Sequence, residues 1–225
     1  MPPIPYGSGA LTAPTVVGFS AATSGLGHST NITISGTNNL IATISTINKQ
    51  GMAYLNTSKT SGKWYGEMTV TYVGVYTNYY MFNGAMNALV SLGTLVGDAA
   101  SGWAFGFDGT VAFQKAKYHA ASEVSYGVSN VVTTTVICYA WDLDNLFFYS
   151  GIVSGGVNSW NGGGVPTSGA LGTNATYSLI AGTGGIMYFA ASLGTITGAT
   201  SITVTLNSGT TIAGVLPAGY STLTP

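Results

Sequence analysis

The chain reads as an all-β protein, a sandwich of two packed antiparallel sheets with long loops. Three observations predict this. The apolar, β-branched run Val131 to Trp141 reaches the polar cluster Asp142-Leu143-Asp144-Asn145 and leaves through Leu146-Phe147-Phe148-Tyr149 to Gly151. That is the pattern of a hairpin whose turn is satisfied by short polar side chains. Both alternating faces of its first strand, Val132, Thr134, Val136, Cys138 and Ala140 and the set between them, are apolar enough to be covered, which places the strand centrally in a layered structure. Elsewhere short apolar runs are cut every few residues by Gly, Asn or Ser, and no helical period exceeds about two turns.

In chain order, residues 1–15 hold Pro2, Pro3, Pro5 and Pro14 among Gly and Ser. Proline fixes φ and removes donors, so this arm is expected to be extended and to stay outside any sheet. Residues 16–225 then form one domain. Short strands are expected at Val16 to Phe19, Asn31 to Ser35, Leu40 to Ile47 and Met52 to Leu55, with Gly-rich turns between them. In Lys63 to Val75, Trp64, Gly66, Met68, Val70 and Tyr72 share the core face, so Glu67 points away from it as a paired structural carboxylate. Residues 76–101 read as a loop-rich excursion, with a helix of at most about two turns near Ala85 to Val90, because Gly84 and Gly93 bracket it. Gly155 to Gly172 reads as a flexible loop, with Trp160 either folded back over the sandwich or offered to a partner. Strands at Thr176 to Ala181, Ile186 to Leu193 and Ser201 to Asn207 complete the sheets. The expected core includes Trp64, Met68, Val70, Trp103, Phe105, Val136, Cys138, Trp141 and Phe148.

Charge narrows the function. Only 5% of the 225 residues are charged and the net charge is -1, with no Arg among them. Without a basic stripe there is nothing to neutralise phosphates, which argues against nucleic acid as a partner. Apolar runs are broken too often for a membrane span, so no membrane insertion is expected. The single Cys138 precludes an intramolecular disulfide and reads as a buried, inert thiol. The N-terminus lacks the pattern of a conventional signal peptide.

Several motifs, taken in chain order, resemble the SPRY domain family in the form found in phage and bacterial structural or adhesion proteins. They are Ser61-Gly62-Lys63-Trp64-Tyr65 with Glu67, Val73-Gly74-Val75, Gly102-Trp103-Ala104-Phe105 with Asp108-Gly109, Tyr126-Gly127, the hairpin with Asp142 and Asp144, and Pro217-Ala218-Gly219-Tyr220. The resemblance spans residues 16 to 223. Gly66 departs from it, standing where the family usually carries a large residue. The resemblance implies an antiparallel β-sandwich used as a binding module, with no cofactor and no metal. A Thr/Ser/Gly/Tyr-rich chain without a signal peptide suits a virion component released by lysis, in a capsid decoration, head fibre or tail fibre. Expected partners are other virion proteins, further copies of the chain and host-surface glycan.

Searching for catalytic chemistry returns little. His28 and His119 have no Cys or Asp at zinc-ligand spacing, and no Gly-x-Ser-x-Gly elbow occurs. Asp142 and Asp144 read as structural turn residues. Two other classes stay open: a carbohydrate-binding, lectin-like domain, and a carbohydrate hydrolase using Glu67, Glu123 or the Asp142/Asp144 pair. The candidate contact residues are Tyr79, Tyr80, Phe113, Tyr118, His119 and Trp160, expected on loops at one end of the sandwich. So few charges over so large a surface also predict self-association, with residues 1–15 ordered against a neighbouring copy.

Overall fold

The structure is a computed structural model describing residues 17–24, 27–74, 79–108, 113–125, 132–196, 200–207 and 211–223. Among these residues, strands numbered in chain order form two sheets. The nine-stranded sheet runs β1 (Thr33–Ser35), β2 (Ile41–Ile44), β14 (Ile202–Asn207), β4 (Lys63–Tyr72), β9 (Val136–Asp142), β10 (Phe147–Ser154) and β11 (Val157–Trp160), with β12 (Tyr177–Ser178) pairing β10 and β15 (Ser221–Thr222) pairing β4. The six-stranded sheet runs β3 (Gln50–Lys59), β13 (Met187–Thr195), β5 (Tyr79–Met86), β6 (Gly102–Asp108), β7 (Phe113–His119) and β8 (Ser122–Ser125). All described strand pairings are antiparallel except the parallel β15–β4 pair. No helix among the described residues is long and apolar enough to cross a membrane.

The hairpin lies where the alternation places it. β9 pairs β4 on one side and β10 on the other, with Trp141 opposite both Trp64 and Phe148. Between the sheets, Trp141 stacks on Phe148 and Tyr139 and meets Phe189 of the opposite sheet at a centroid distance of 4.8 Å. Trp103, Phe105, Met68 and Val70 join this interior. Gly66 is small because Trp141 occupies its space: a Cβ there would stand 3.2 Å from the indole ring.

Two core expectations need correction. Trp64 is only half-buried, because it lies near the open start of β4, roofed by the Lys59 ammonium at 3.8 Å. Val136 is likewise half-buried, as the first residue of its strand. Cys138 is fully buried as expected, in a cluster on the outer face of the nine-stranded sheet with Tyr65, Ala140, Tyr149 and Tyr220. Burial and then the charge of Glu67 push its thiol well above the ordinary range.

Residues 76–101 differ most. The expected loop or helix is β5, which lies between β13 and β6. Both of its faces are covered, so it lacks polar alternation, and Gly84 is required by close approach, since a Cβ would fall 1.9 Å from the Trp103 carbonyl oxygen. The segment that follows, residues 87–101, folds over the outer face of the six-stranded sheet and buries Leu95 and Val96 against Met52, Tyr54, Phe82 and Met86. The Gly155–Gly172 stretch is also ordered into structure: β11, then short 3₁₀ turns at Asn161–Gly163 and Pro166–Leu171. In Thr176 to Ala181 only Tyr177–Ser178 pairs as strand.

Candidate functional site

The outer face of the nine-stranded sheet carries the most unusual chemistry. On β4 the odd positions Lys63, Tyr65 and Glu67 face outward, opposite Asp142, Ala140 and Cys138 of β9. Glu67 is completely buried, yet no cation among the described residues lies within ion-pair reach of it. Its charge is instead satisfied by four donors: the Tyr65 hydroxyl at 2.5 Å, the Ala213 and Gly214 amides at 2.8 Å each, and the Asn207 side chain at 3.2 Å. A buried carboxylate is tolerated when hydrogen bonds replace its water. Burial, then Cys138 and Glu67, push the Tyr65 phenol far above its ordinary value, so it stays a donor. Glu67 thus clamps residues 211–217 across the sheet. Gly214 permits the close approach, because a Cβ there would fall 2.0 Å from Asn158 Oδ1.

Asn158 of β11 extends this clamp. Its Oδ1 accepts from the Val215 amide at 3.1 Å and its Nδ2 donates to the Val215 carbonyl at 2.6 Å, so the side chain pairs with Val215 as a strand neighbour would. A second covering segment, residues 161–176, is pinned by Thr176 and Asn161 to Ser150. The Tyr220 hydroxyl ties the two together by donating to the Pro166 carbonyl at 3.0 Å.

The two covers do not meet over β11. They leave a cleft of about 410 Å³ walled by Val157, Trp160, Val165, Pro166, Val215 and Pro217, with Asn158, Gly164 and Thr167 completing it. Among the described residues no charged side chain lines it. Val157 is 62% exposed, Val215 59% and Val165 41%, an unusual apolar concentration for a surface. Trp160 is half-buried, edge-on to Tyr65 at 6.4 Å, and its indole N–H has no hydrogen-bond partner among the described residues. A second hollow of about 490 Å³ is rich in hydroxyls from Thr134, Thr135, Ser154 and Ser159.

The six sequence-predicted contact residues do not form one site. All of them lie on strands and not on loops. Tyr79 is fully buried, its hydroxyl donating to the Val73 carbonyl at 2.6 Å, so it has no surface to offer a partner. Tyr80 lies beside Asp108 at one end of the six-stranded sheet and donates to Gln50. Tyr118 and His119 lie towards the other end, next to Ala104 and Trp103. There Tyr118 donates to Asp98, and His119 stacks on Trp103 with ring centroids 5.0 Å apart. The Phe113 side chain lies outside what the structure describes. Trp160 is the one candidate that borders the cleft. The remaining cleft residues were missed because they sit in Gly-rich connections. The available signal was apolar content where loops are usually polar: Val165-Pro166 and Val215-Leu216-Pro217.

The carboxylates stand apart. Asp142 accepts from Lys63 at 2.9 Å and from the Asn145 amide and side chain, while Asp144 accepts from the Gly62 amide at 2.7 Å, in the facing turn. Burial opposes ionisation of Asp142, but the hydrogen bonds from Asn145 and Lys63 outweigh it and hold the carboxyl below its usual range. Glu67 is four strand residues from the Lys63–Asp142 pair, roughly 13 Å at the rise of a strand. That exceeds the ~5–9.5 Å between the carboxylates of glycosidases. The Glu123 side chain lies outside the description. Among the described residues no three His, Cys, Asp or Glu gather as a metal site.

Neither a protein-family model nor a curated protein matches the sequence. Solved structures do match in shape. The TRIM65 PSpry domain is similar with a TM-score of 0.58 at 9% identity, over 85% of this chain and 91% of that one. The fold is SPRY-like. The SPRY domain of human HERC1 is similar at a TM-score of 0.55 and 14% identity, over 78% of this chain and 91% of that one. Stonustoxin is similar at 0.52 and 14%, over 78% of this chain but 26% of its own length. The SPRY-like sandwich is the frame, and the covered outer face with its cleft is what this sequence builds on it.

Proposed function

We propose that the chain is a non-enzymatic binding module that makes protein contacts, including contacts between its own copies, as a structural component of a virus particle: a capsid decoration, head-fibre or tail-fibre module. The observation that carries this is the open, uncharged apolar cleft beside β11, on a fold whose resemblance is to a family of binding modules. Apolar surface that stays exposed in a folded domain gains free energy when a partner covers it. With 11 charged side chains in 225 residues, little charge has to be desolvated on docking and little repulsion keeps copies apart. Glu67, Asp142 and Asp144 support the same reading, since each accepts hydrogen bonds that hold a turn or a cover in place. Mass spectrometry of purified particles tests the setting: the chain is expected in a copy number matching the particle's symmetry. Its absence from particles overturns the virion role.

A second reading, a carbohydrate-binding domain, is favoured by the hydroxyl-rich hollow lined by Thr134, Thr135, Ser154 and Ser159. Glycan-array binding that survives Trp160→Ala but is lost on Thr135→Val would support it over the cleft.

A further inference from the structure

We infer that the cleft beside β11 is the seat for the proline-rich arm, Pro2 to Tyr6, of a second copy of the chain, an inference that rests on the binding-module reading above. The first argument is chemical match. Four of the chain's seven prolines fall within its first 14 residues, and residues 1–16 contain no charged side chain. An uncharged cleft walled by Trp160, Pro166, Pro217 and valines offers such a segment contact without desolvating a charge. A polyproline II strand repeats every three residues, so Pro2 and Pro5 form one ridge and Pro3 and Tyr6 the next. Such strands dock on aromatic-lined grooves at low entropic cost because their shape is preset. They also present free carbonyls, and Trp160, whose indole N–H has no partner among the described residues, is a wall of the cleft. A sugar would need several polar partners, whereas Asn158 is already used by Val215 and Tyr65.

The second argument is where the arm departs. At the start of the described chain Gly18 pairs with Asn56 and Phe19 with Leu55, at β3, an edge strand of the six-stranded sheet. That edge packs beside β2, whereas β11 closes the opposite edge of the nine-stranded sheet. Five strand intervals of about 4.8 Å separate β2 from β11, about 24 Å before the outer layers are rounded. Twelve residues separate Pro5 from Val17, and a linker with the Gly7-Ser8-Gly9 composition spans about 19 Å root-mean-square. That is shorter than the path over its own domain, which favours the cleft of a neighbouring copy. The contact is then head-to-tail, each copy giving an arm and receiving one, the arrangement that builds rings or filaments.

Full-length chains test this by complementation in sedimentation velocity. Wild type is expected to self-associate, while an arm variant (Pro2→Asp with Pro5→Asp) and a cleft variant (Val215→Asp, with Trp160→Ala as its neutral counterpart) each weaken association at least tenfold, with circular dichroism spectra unchanged. Mixing the arm variant with a cleft variant restores a one-to-one complex, since one brings an intact cleft and the other an intact arm. No recovery on mixing overturns the second-copy assignment, as does a monomeric wild type. Association lost in both cleft variants but kept in the arm variant overturns the arm as occupant while leaving the binding-module reading standing. Association unchanged in every variant removes the cleft from both.

Discussion

The two outer faces of this sandwich are both covered by irregular chain, and they are covered differently. Over the six-stranded sheet, residues 87–101 form a closed lid. Met52 donates to the Leu92 carbonyl, the Val90 amide donates to the Tyr54 hydroxyl, and the Val96 amide donates to Ser192, leaving Val96 without exposure. Over the nine-stranded sheet, two segments are held by polar groups, Glu67 and Asn158 for one and Ser150 for the other, and an apolar gap stays open between them. The closed lid turns Leu95 and Val96 inward, leaving Leu89 as its one largely exposed apolar side chain. The open cover instead leaves Val157, Val165 and Val215 facing out around one cleft.

The largest effect that would break this comparison is at Glu67. Glu67→Ala deprives two backbone amides, Asn207 and Tyr65 of their acceptor, and is expected to destabilise by about 3–4 kcal/mol while freeing residues 211–217. Chemical denaturation measures the first, and faster amide exchange at Ala213 and Gly214 the second. A loss below about 1 kcal/mol would show that the carboxylate is not the clamp. On the opposite face Ser192→Ala leaves the buried Val96 amide without a partner and should cost about 2 kcal/mol, with no effect on self-association. If association falls as well, the closed lid is part of the contact surface and the contrast between faces fails.

Acid probes the hairpin turn beneath the open cover. Because the Asp142 pKa is depressed in the folded state, its stabilisation is present above the unfolded carboxylate value of about 3.9 and is lost as pH falls through the lower, folded value. The melting temperature should therefore hold from neutrality to about pH 4 and decline below it. Asp142→Asn should flatten that decline, and an equally steep decline in the variant would assign it to other groups. The smallest effect on stability is expected for Trp160→Ala, about 1–2 kcal/mol because the ring is half-buried, together with loss of self-association. A much larger destabilisation would make Trp160 a core residue and not a cleft wall.

Much of the frame was legible in the chain. The hairpin at Asp142–Asn145 could be read because a β-branched run, a cluster of short acidic and amide side chains and a second apolar run satisfy local rules within some twenty residues. The signposts in SPRY order carried the sandwich. What could not be read lies where local rules are silent. β5 has no polar alternation because both its faces are covered, and Gly84, which reads as a breaker, is demanded by a neighbouring carbonyl. Phe113, Tyr118 and His119, expected on loops, lie on β7, which pairs with β6 and β8 through contacts that local pattern does not reveal.

The sequence by itself determined the class of the fold, the central hairpin, the outward direction of Glu67 and the scarcity of charge, because each depends on period-two alternation, turn chemistry or composition. Tertiary structure alone decided that Glu67 is clamped by the amides of Ala213 and Gly214, nearly 150 residues further along the chain. It also decided that Val157, Val165 and Val215, from three separate segments, share one cleft. Neither contact leaves a trace in local pattern, since each exists only once distant parts of the chain pack onto the same sheet face.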